Sequence, residues 1–226
     1  MLVPSDSRKS NLGTAAARAH QNLVNNRDGN VYQYLTEERG LTDQTVAQFM
    51  LGEVPANDPD YGDKAGWVTI PYITVNGIVD LRFRRPPDSG HPAKYQSLPG
   101  AELRIFNPTA ILTALDTVVV AEGEMDCMIL AQAGFHAIGL PGASSWQSYY
   151  GLALQGIENV IVCEDGDDKG AGARLSARIL ADLDHARVVR FDDGDVNSFL
   201  LQHGRQALVD KVSAAVSRSE EKGGQA

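Results

Sequence analysis

The sequence predicts an α/β fold in which a mixed α+β half precedes a mainly parallel sheet covered by helices. Two observations predict it. After Leu115 the chain alternates short β-branched runs (TVVVA, FHAIGL, NVIVCE, ARVVRF) with helical stretches (DCMILAQAG, SSWQSYYGLALQG, GAGARLSARILADL). That alternation marks parallel strands joined by crossover helices. Before residue 115, GWVTIPYITV and IVDLRFRR flank Asn76-Gly77, the turn signal of an antiparallel hairpin.

The remaining elements follow in order. Residues 1–30 are polar, with an Ala-rich helical patch from Thr14 to Asn25 that ends in the turn-forming Asn-Asn-Arg-Asp-Gly. In NVYQYLTEERG the apolar residues Val31, Tyr34 and Leu35 fall at helical spacing, and Gly40 stands where a C-cap is expected. LTDQTVAQFMLG reads as a second short helix opened by Thr42 as its N-cap. Pro55 to Gly66 is a loop, and PPDSGHPAKYQSLPGAELRIFNP reads as an irregular surface loop with a functional role. The expected organisation is a polar helical segment over 1–30, a basic subdomain over 31–114, and the parallel-sheet domain over 115–203. A C-terminal helix and a disordered tail ending SRSEEKGGQA are expected over 204–226.

The 226 residues carry a formal net charge of -9, with 43% hydrophobic and 22% charged residues, an ordinary globular composition. The longest apolar runs, such as Thr117 to Ala121, are too short to span a membrane, and the N-terminus lacks an apolar signal core, so a cytoplasmic location is expected. Cys127 and Cys163 sit in apolar stretches and read as buried reduced thiols. No CxxC and no Cys/His spacing suits zinc, so no zinc site is expected. The charge is uneven. Lys64, Arg82, Arg84, Arg85, Lys94 and Arg104 face only Asp80, Asp88 and Glu102, whereas carboxylates dominate beyond Asp116. A basic half and an acidic half suit an enzyme that binds polyanions with one surface and metal ions with another.

The acids sit where such chemistry is expected. In a doubly wound sheet the active crevice lies outside the carboxyl ends of the strands. TVVVA runs into Glu122-Gly123-Glu124-Met125-Asp126, NVIVC into Glu164-Asp165-Gly166-Asp167-Asp168, and ARVVRF into Asp192-Asp193-Gly194-Asp195. Any one cluster alone has an ordinary reading as a helix cap or a solvated turn. Three at three strand ends favour metal binding, because carboxylates that close repel by roughly 1–4 kcal/mol per pair in a wet site and need a counter-ion. Oxygen ligands without His or Cys suit Mg²⁺ or Mn²⁺.

Glu122-Gly-x-x-Asp126, Asp165-Gly-Asp167 and Asp195-Val-Asn197 before Phe199-Leu200 together resemble the TOPRIM signature, the mark of a Rossmann-like domain shared by primases, topoisomerases and several nucleases. The resemblance implies that Glu122, Asp126, Asp165 and Asp167 are catalytic, with Glu122, Asp165 and Asp167 acting around Mg²⁺, Asp126 closing the first element and Asp195 as the last acid on the metal side. Asn197 stands where cellular primases often have Asp and is given a supporting role. Gly194 replaces a frequent Lys.

The N-terminal half selects the branch. NVYQYLTEERGLTDQTVAQFMLG is similar to the helical entry of the DnaG-type polymerase domain, GWVTIPYITVNGIVDLRFRR resembles its strand pair with Trp67 where Arg is usual, and Pro92-Ala93-Lys94-Tyr95 resembles its PKY loop with one residue inserted. The resemblance, over about residues 30–203, implies a DNA primase catalytic core of bacterial or bacteriophage type. Such an enzyme is a DNA-directed RNA polymerase that builds short RNA primers on single-stranded DNA by two-metal nucleotidyl transfer. Arg84, Arg85, Lys94, Tyr95 and Arg104 are then expected to hold nucleotide or template. A bland alternative for the arginines is an exposed, solubilising strand. The partners implied are single-stranded DNA, ribonucleoside triphosphates, a replicative helicase and a separate zinc-binding component. A TOPRIM metal nuclease and a non-catalytic replication accessory are the rival readings. Tyr149 and Tyr150 lie in an apolar helical stretch and read as packing residues rather than as a topoisomerase nucleophile. Pro141-Gly142-Ala143-Ser144-Ser145 reads either as a phosphate-binding turn or as an ordinary helix cap.

Overall fold

The computed structural model describes residues 4–87, 93–166, 170–192 and 194–217. Two compact units make up the chain, Met1–Glu102 and Leu103–Ala226.

The first unit pairs one long helix with an antiparallel sheet. Helix α1 spans Asp6–Asn25 and starts earlier than its Ala-rich part, because Ser5 accepts the backbone N–H of Arg8 and Asp6 lies in the first turn. Leu12, Ala15, Ala16, Ala19 and Leu23 recur at helical spacing and form its buried stripe. Helix α2 (Asn30–Gln33) continues into a π-helical stretch at Tyr34–Glu38, and α3 (Asp43–Gln48) is opened by Thr42, whose side chain accepts from the Thr45 N–H. The sheet has the order β1-β2-β3-β4, with β1 at Gly52–Glu53, β2 at Val68–Thr74, β3 at Gly77–Arg84 and β4 at Tyr95–Ser97. The expected hairpin at Asn76-Gly77 joins β2 to β3. Strand β4 lies inside the stretch that reads as irregular in sequence, and it pairs Arg84 with Tyr95. Leu12, Ala15 and Ala16 pack against Trp67, Ile78, Leu81 and Phe83, so one face of β3 belongs to the core. Its alternate residues Asp80, Arg82 and Arg84 point to the other face.

The second unit is a four-stranded parallel sheet in the order β6-β5-β7-β8. Its elements are α4 (Thr109–Thr113), β5 (Thr117–Ala121), α5 (Glu124–Ala133), β6 (Ala137–Gly139), α6 (Ser148–Leu154), β7 (Asn159–Asp165), α7 (Ala171–Asp182), β8 (Arg187–Phe191) and α8 (Val196–Ser217). Val118, Val120, Ile138, Leu140, Val160 and Val162 form the buried middle of the sheet. The unit begins before β5 because Phe106 forms an antiparallel bridge with Gly139, exchanging two backbone hydrogen bonds of 2.8 and 3.1 Å. Helix α8 is interrupted at Gly204, whose φ of 82° no helical residue adopts. The expected tail beyond Ser217 lies outside the described residues.

No helix among the described residues is long and apolar enough to cross a membrane. Tyr150 is buried and donates to the Leu103 carbonyl at 2.9 Å, a packing role.

Candidate active site

Because the sheet of the second unit is parallel, the carboxyl ends of β5, β7 and β8 lie on one edge. Glu122 directly follows β5, Asp165 closes β7, and Asp192 follows β8. The register pairs Val120 with Val162 and Asp165 with Phe191, so the three acids stand at the ends of neighbouring strands. Such strands are about 4.8 Å apart. Glu122 and Asp165 are half-buried, and Asp192 is exposed.

The backbone around these acids is tied down. The Glu122 carbonyl accepts the N–H of Gly142 at 3.1 Å, and Gly166 donates to the Gly194 carbonyl at 2.8 Å, joining the loops after β7 and β8. A side chain at Gly172 would put its Cβ 2.6 Å from the Asp165 carbonyl oxygen, so only glycine lets α7 start this close to β7. The turn from Gly142 to Ser145 is occupied by its own bonds: Ser145 gives both its N–H and its hydroxyl to the Gly142 carbonyl.

Not all the acids point to a common centre. Asp126 is 8% exposed, and its Oδ1 accepts the backbone N–H of Asn197 at 3.1 Å. Asp195 accepts the N–H of Ser198 at 2.7 Å and also its hydroxyl, the geometry of an N-cap for α8. Glu164, on the opposite side of β7 from Asp165, accepts Arg190 Nε at 3.0 Å. Among the described residues, no three Asp, Glu, His or Cys side chains come together as a metal-binding group. The convergence of several acids within a few ångströms, expected from the sequence, is therefore not present among them. Asp167 lies outside the described residues. The donors that Glu122, Asp165, Asp192 and Asp195 offer are oxygen alone, which fits Mg²⁺ or Mn²⁺ rather than a softer ion.

The first unit holds the basic residues. Arg84 and Tyr95 face each other across β3 and β4, and Arg84 Nη1 donates to the Tyr95 hydroxyl. The Arg82 guanidinium lies 4.5 Å from the Tyr95 ring centroid, a diagonal cross-strand contact. Arg85 donates its N–H to the Lys94 carbonyl at 3.1 Å, extending the ladder by one step. Arg84 is only 4% exposed, so it is neither a solubilising surface arginine nor fully open to a ligand, whereas Lys94 is exposed. Arg104 belongs to the second unit.

Residues 119–200 match a family model described as Toprim-like. The Gene 57 protein of Mycobacterium phage D29 is 29% identical over 153 residues, which cover 65% of this chain and 98% of that protein. A DNA primase of Pasteurella multocida is 32% identical over 112 residues, 46% of this chain but 19% of the primase. The chain thus spans under a fifth of the length of that curated primase. The RNA polymerase domain of Mycobacterium tuberculosis primase DnaG, solved in complex with a double-stranded DNA oligomer bearing a 6-nucleotide overhang, superposes with a TM-score of 0.74 at 22% identity, over 93% of this chain and 81% of that one. The chain is thus similar in sequence to part of a DNA primase and has the fold of DnaG-type catalytic cores, with a Toprim-like domain. The strand-end acids are legible in sequence, because β-branched runs announce each strand. Tyr34 and Arg39 lie in the stretch similar to the DnaG-type helical entry and are not among the expected site residues. Arg39 Nε donates to the Tyr34 hydroxyl at 2.8 Å, and the Arg84 guanidinium lies 5.5 Å from the Tyr34 ring centroid. The available signal was an aromatic and an arginine on one short helix, together with a basic strand.

Proposed function

We propose that the protein is a primase catalytic core that condenses ribonucleotides into short RNA primers on single-stranded DNA. The observation that carries this reading is the combination of Glu122 and Asp165 at adjacent strand ends of a Toprim-like domain with a DnaG-type fold over nearly the whole chain. In the reaction the 3′-hydroxyl of one nucleotide attacks the α-phosphorus of an incoming triphosphate; the new P–O bond forms as the bond to pyrophosphate breaks. Glu122, Asp165 and Asp167 would hold Mg²⁺ or Mn²⁺, with Asp195 contributing from the loop after β8. When bound, the ions neutralise phosphate charge and stabilise the attacking and leaving oxygens. Asp126 holds the start of α8 against α5, and Asn197 supplies the N–H it grips. Arg84, Arg85, Lys94 and Arg104 bind the triphosphate or template backbone by charge, with Tyr95 beside them as a neutral contact. Catalysis then rests on positioning and electrostatics rather than on a protein nucleophile.

The phage relative supports a bacteriophage origin, and the host cytoplasm is then the site of action. A replicative helicase and a zinc-binding component supplied by another protein are the proposed partners. The test is incubation with single-stranded DNA, labelled ribonucleoside triphosphates and Mg²⁺ or Mn²⁺. Short RNA products that depend on template support the primase. Metal-dependent shortening of the DNA without RNA synthesis, even with helicase and zinc-binding partner present, supports the nuclease instead. Neither activity leaves the accessory reading.

A further inference from the structure

Arg82 and Arg84, on the face of β3 that also carries Asp80, belong to a row of cations spaced by aromatic rings. Tyr34, in the π-helical stretch, is 3% exposed. Its hydroxyl accepts Arg39 Nε at 2.8 Å, so Arg39, with its guanidinium 5.4 Å from the ring centroid, sits at the hydroxyl edge. Arg84, 5.5 Å from the same centroid, has no hydrogen bond to that hydroxyl among those described; its Nη1 donates to the hydroxyl of Tyr95 instead. Tyr95 in turn lies 4.5 Å from the Arg82 guanidinium and 6.0 Å from Lys94 Nζ. The row therefore runs Arg39, Tyr34, Arg84, Tyr95, Arg82, with Lys94 beside its end.

Like charges repel, and long side chains lose rotamer entropy when they are fixed. The electron-rich faces and hydroxyls of the two tyrosines lie against these cations and help to hold them in place. Tyr34 is too buried to stack on a nucleotide base. The two guanidinium groups on Tyr95 likewise crowd the ring that stacking would use.

We propose that Tyr34 is a positioning residue, which holds the Arg39 and Arg84 guanidinium groups in a fixed spacing that presents β3 to a phosphodiester or triphosphate backbone. This rests on the reading of Arg84 as a polyanion-binding residue. Binding is then paid for in advance, because the cations need not be ordered when the ligand arrives. The ring holds Arg84, and the hydroxyl holds Arg39.

The experiment combines two readouts on wild type, Tyr34→Phe, Tyr34→Leu and Arg84→Ala: fluorescence anisotropy with labelled oligodeoxythymidine, and the side-chain Nε–Hε resonance of Arg84 in ¹⁵N-arginine-labelled protein. Wild type is expected to show that resonance shifted by the Tyr34 ring current. Tyr34→Phe keeps the shift and most of the affinity. Arg84 also lies 4.9 Å from the Tyr95 ring centroid, so Tyr34→Leu loses only the Tyr34 part of the shift; it weakens binding by about fivefold or more, with the melting temperature as the check on folding. If Tyr34→Leu does not fold, the resonance is read in Tyr95→Leu, which removes the nearer ring and should keep the shift that Tyr34 causes. An unshifted Arg84 resonance in wild type, or a folded Tyr34→Leu that binds as wild type does while Arg84→Ala is impaired, overturns the positioning role. If Arg84→Ala itself binds normally, the polyanion reading of β3 fails, while the resonance still reports whether Tyr34 holds Arg84.

Discussion

The carboxylate of Asp126 on α5 accepts the backbone N–H of Asn197 in the first turn of α8, across 71 positions of sequence and 3.1 Å of space. An acid that sequence analysis assigns to catalysis thus also acts as a helix cap supplied from another element. It satisfies one of the N–H groups that a helix start leaves without an intrahelical partner. Asp126→Ala should cost about 0.5–2 kcal/mol of stability, whereas Asp126→Asn keeps an acceptor oxygen and should cost much less. Urea denaturation of the two variants measures the difference; equal stability of Asp126→Ala and wild type would remove the capping role.

Asp58 and Arg18 form the corresponding anchor in the first unit. Arg18 donates Nε and Nη2 to the two oxygens of Asp58 at 3.0 and 3.1 Å, while Asp58 also accepts the N–H groups of Asp60 and Tyr61. Burial pushes the Asp58 carboxyl up, but the Arg18 and backbone hydrogen bonds outweigh it, and its pKa is lowered overall. A depressed carboxylate stabilises the fold above its unfolded-state pKa, about 3.9, and that contribution is lost as pH falls through the folded value. Asp58→Asn should therefore cost about 1–3 kcal/mol at neutral pH and progressively less in acid. Melting curves at neutral and strongly acidic pH check this; a deficit that persists unchanged in acid contradicts it.

Both cysteines are buried, and Cys127 also donates its thiol to the Ala137 carbonyl at 3.3 Å. Burial, with nearby carboxylates adding to it, raises both thiol pKa values. The reactive thiolate is then absent at neutral pH. A colorimetric thiol reagent should titrate neither cysteine in the native protein and both after denaturation; rapid native labelling at neutral pH would show that α5 or β7, which hold them, opens readily.

Much of the fold is legible in sequence for a local reason. Runs such as Thr117–Ala121 and Asn159–Asp165 are buried on both faces of a parallel sheet, so their β-branched composition reports the strand directly. The same runs mark where Glu122 and Asp165 stand. Long-range relationships are not legible. Nothing near Asp126 in sequence announces Asn197, and nothing near Arg84 announces that Tyr34 and Tyr95 close over it. The start of α1 was hidden because Asp6 to Asn11 are polar, and its signal is the single cap of Ser5. Strand β4 was hidden because three residues, Tyr95–Ser97, carry no periodicity of their own.

In the proposed reaction the acids at the ends of β5 and β7 carry nucleotidyl transfer. The most direct measurement is the rate of primer synthesis by Glu122→Gln and Asp165→Asn beside wild type, with melting temperatures taken on the same preparations. Removing either carboxylate charge should lower the rate by about 100-fold or more while the fold persists. A folded Glu122→Gln or Asp165→Asn enzyme that makes primers at the wild-type rate would contradict a catalytic role for that carboxylate.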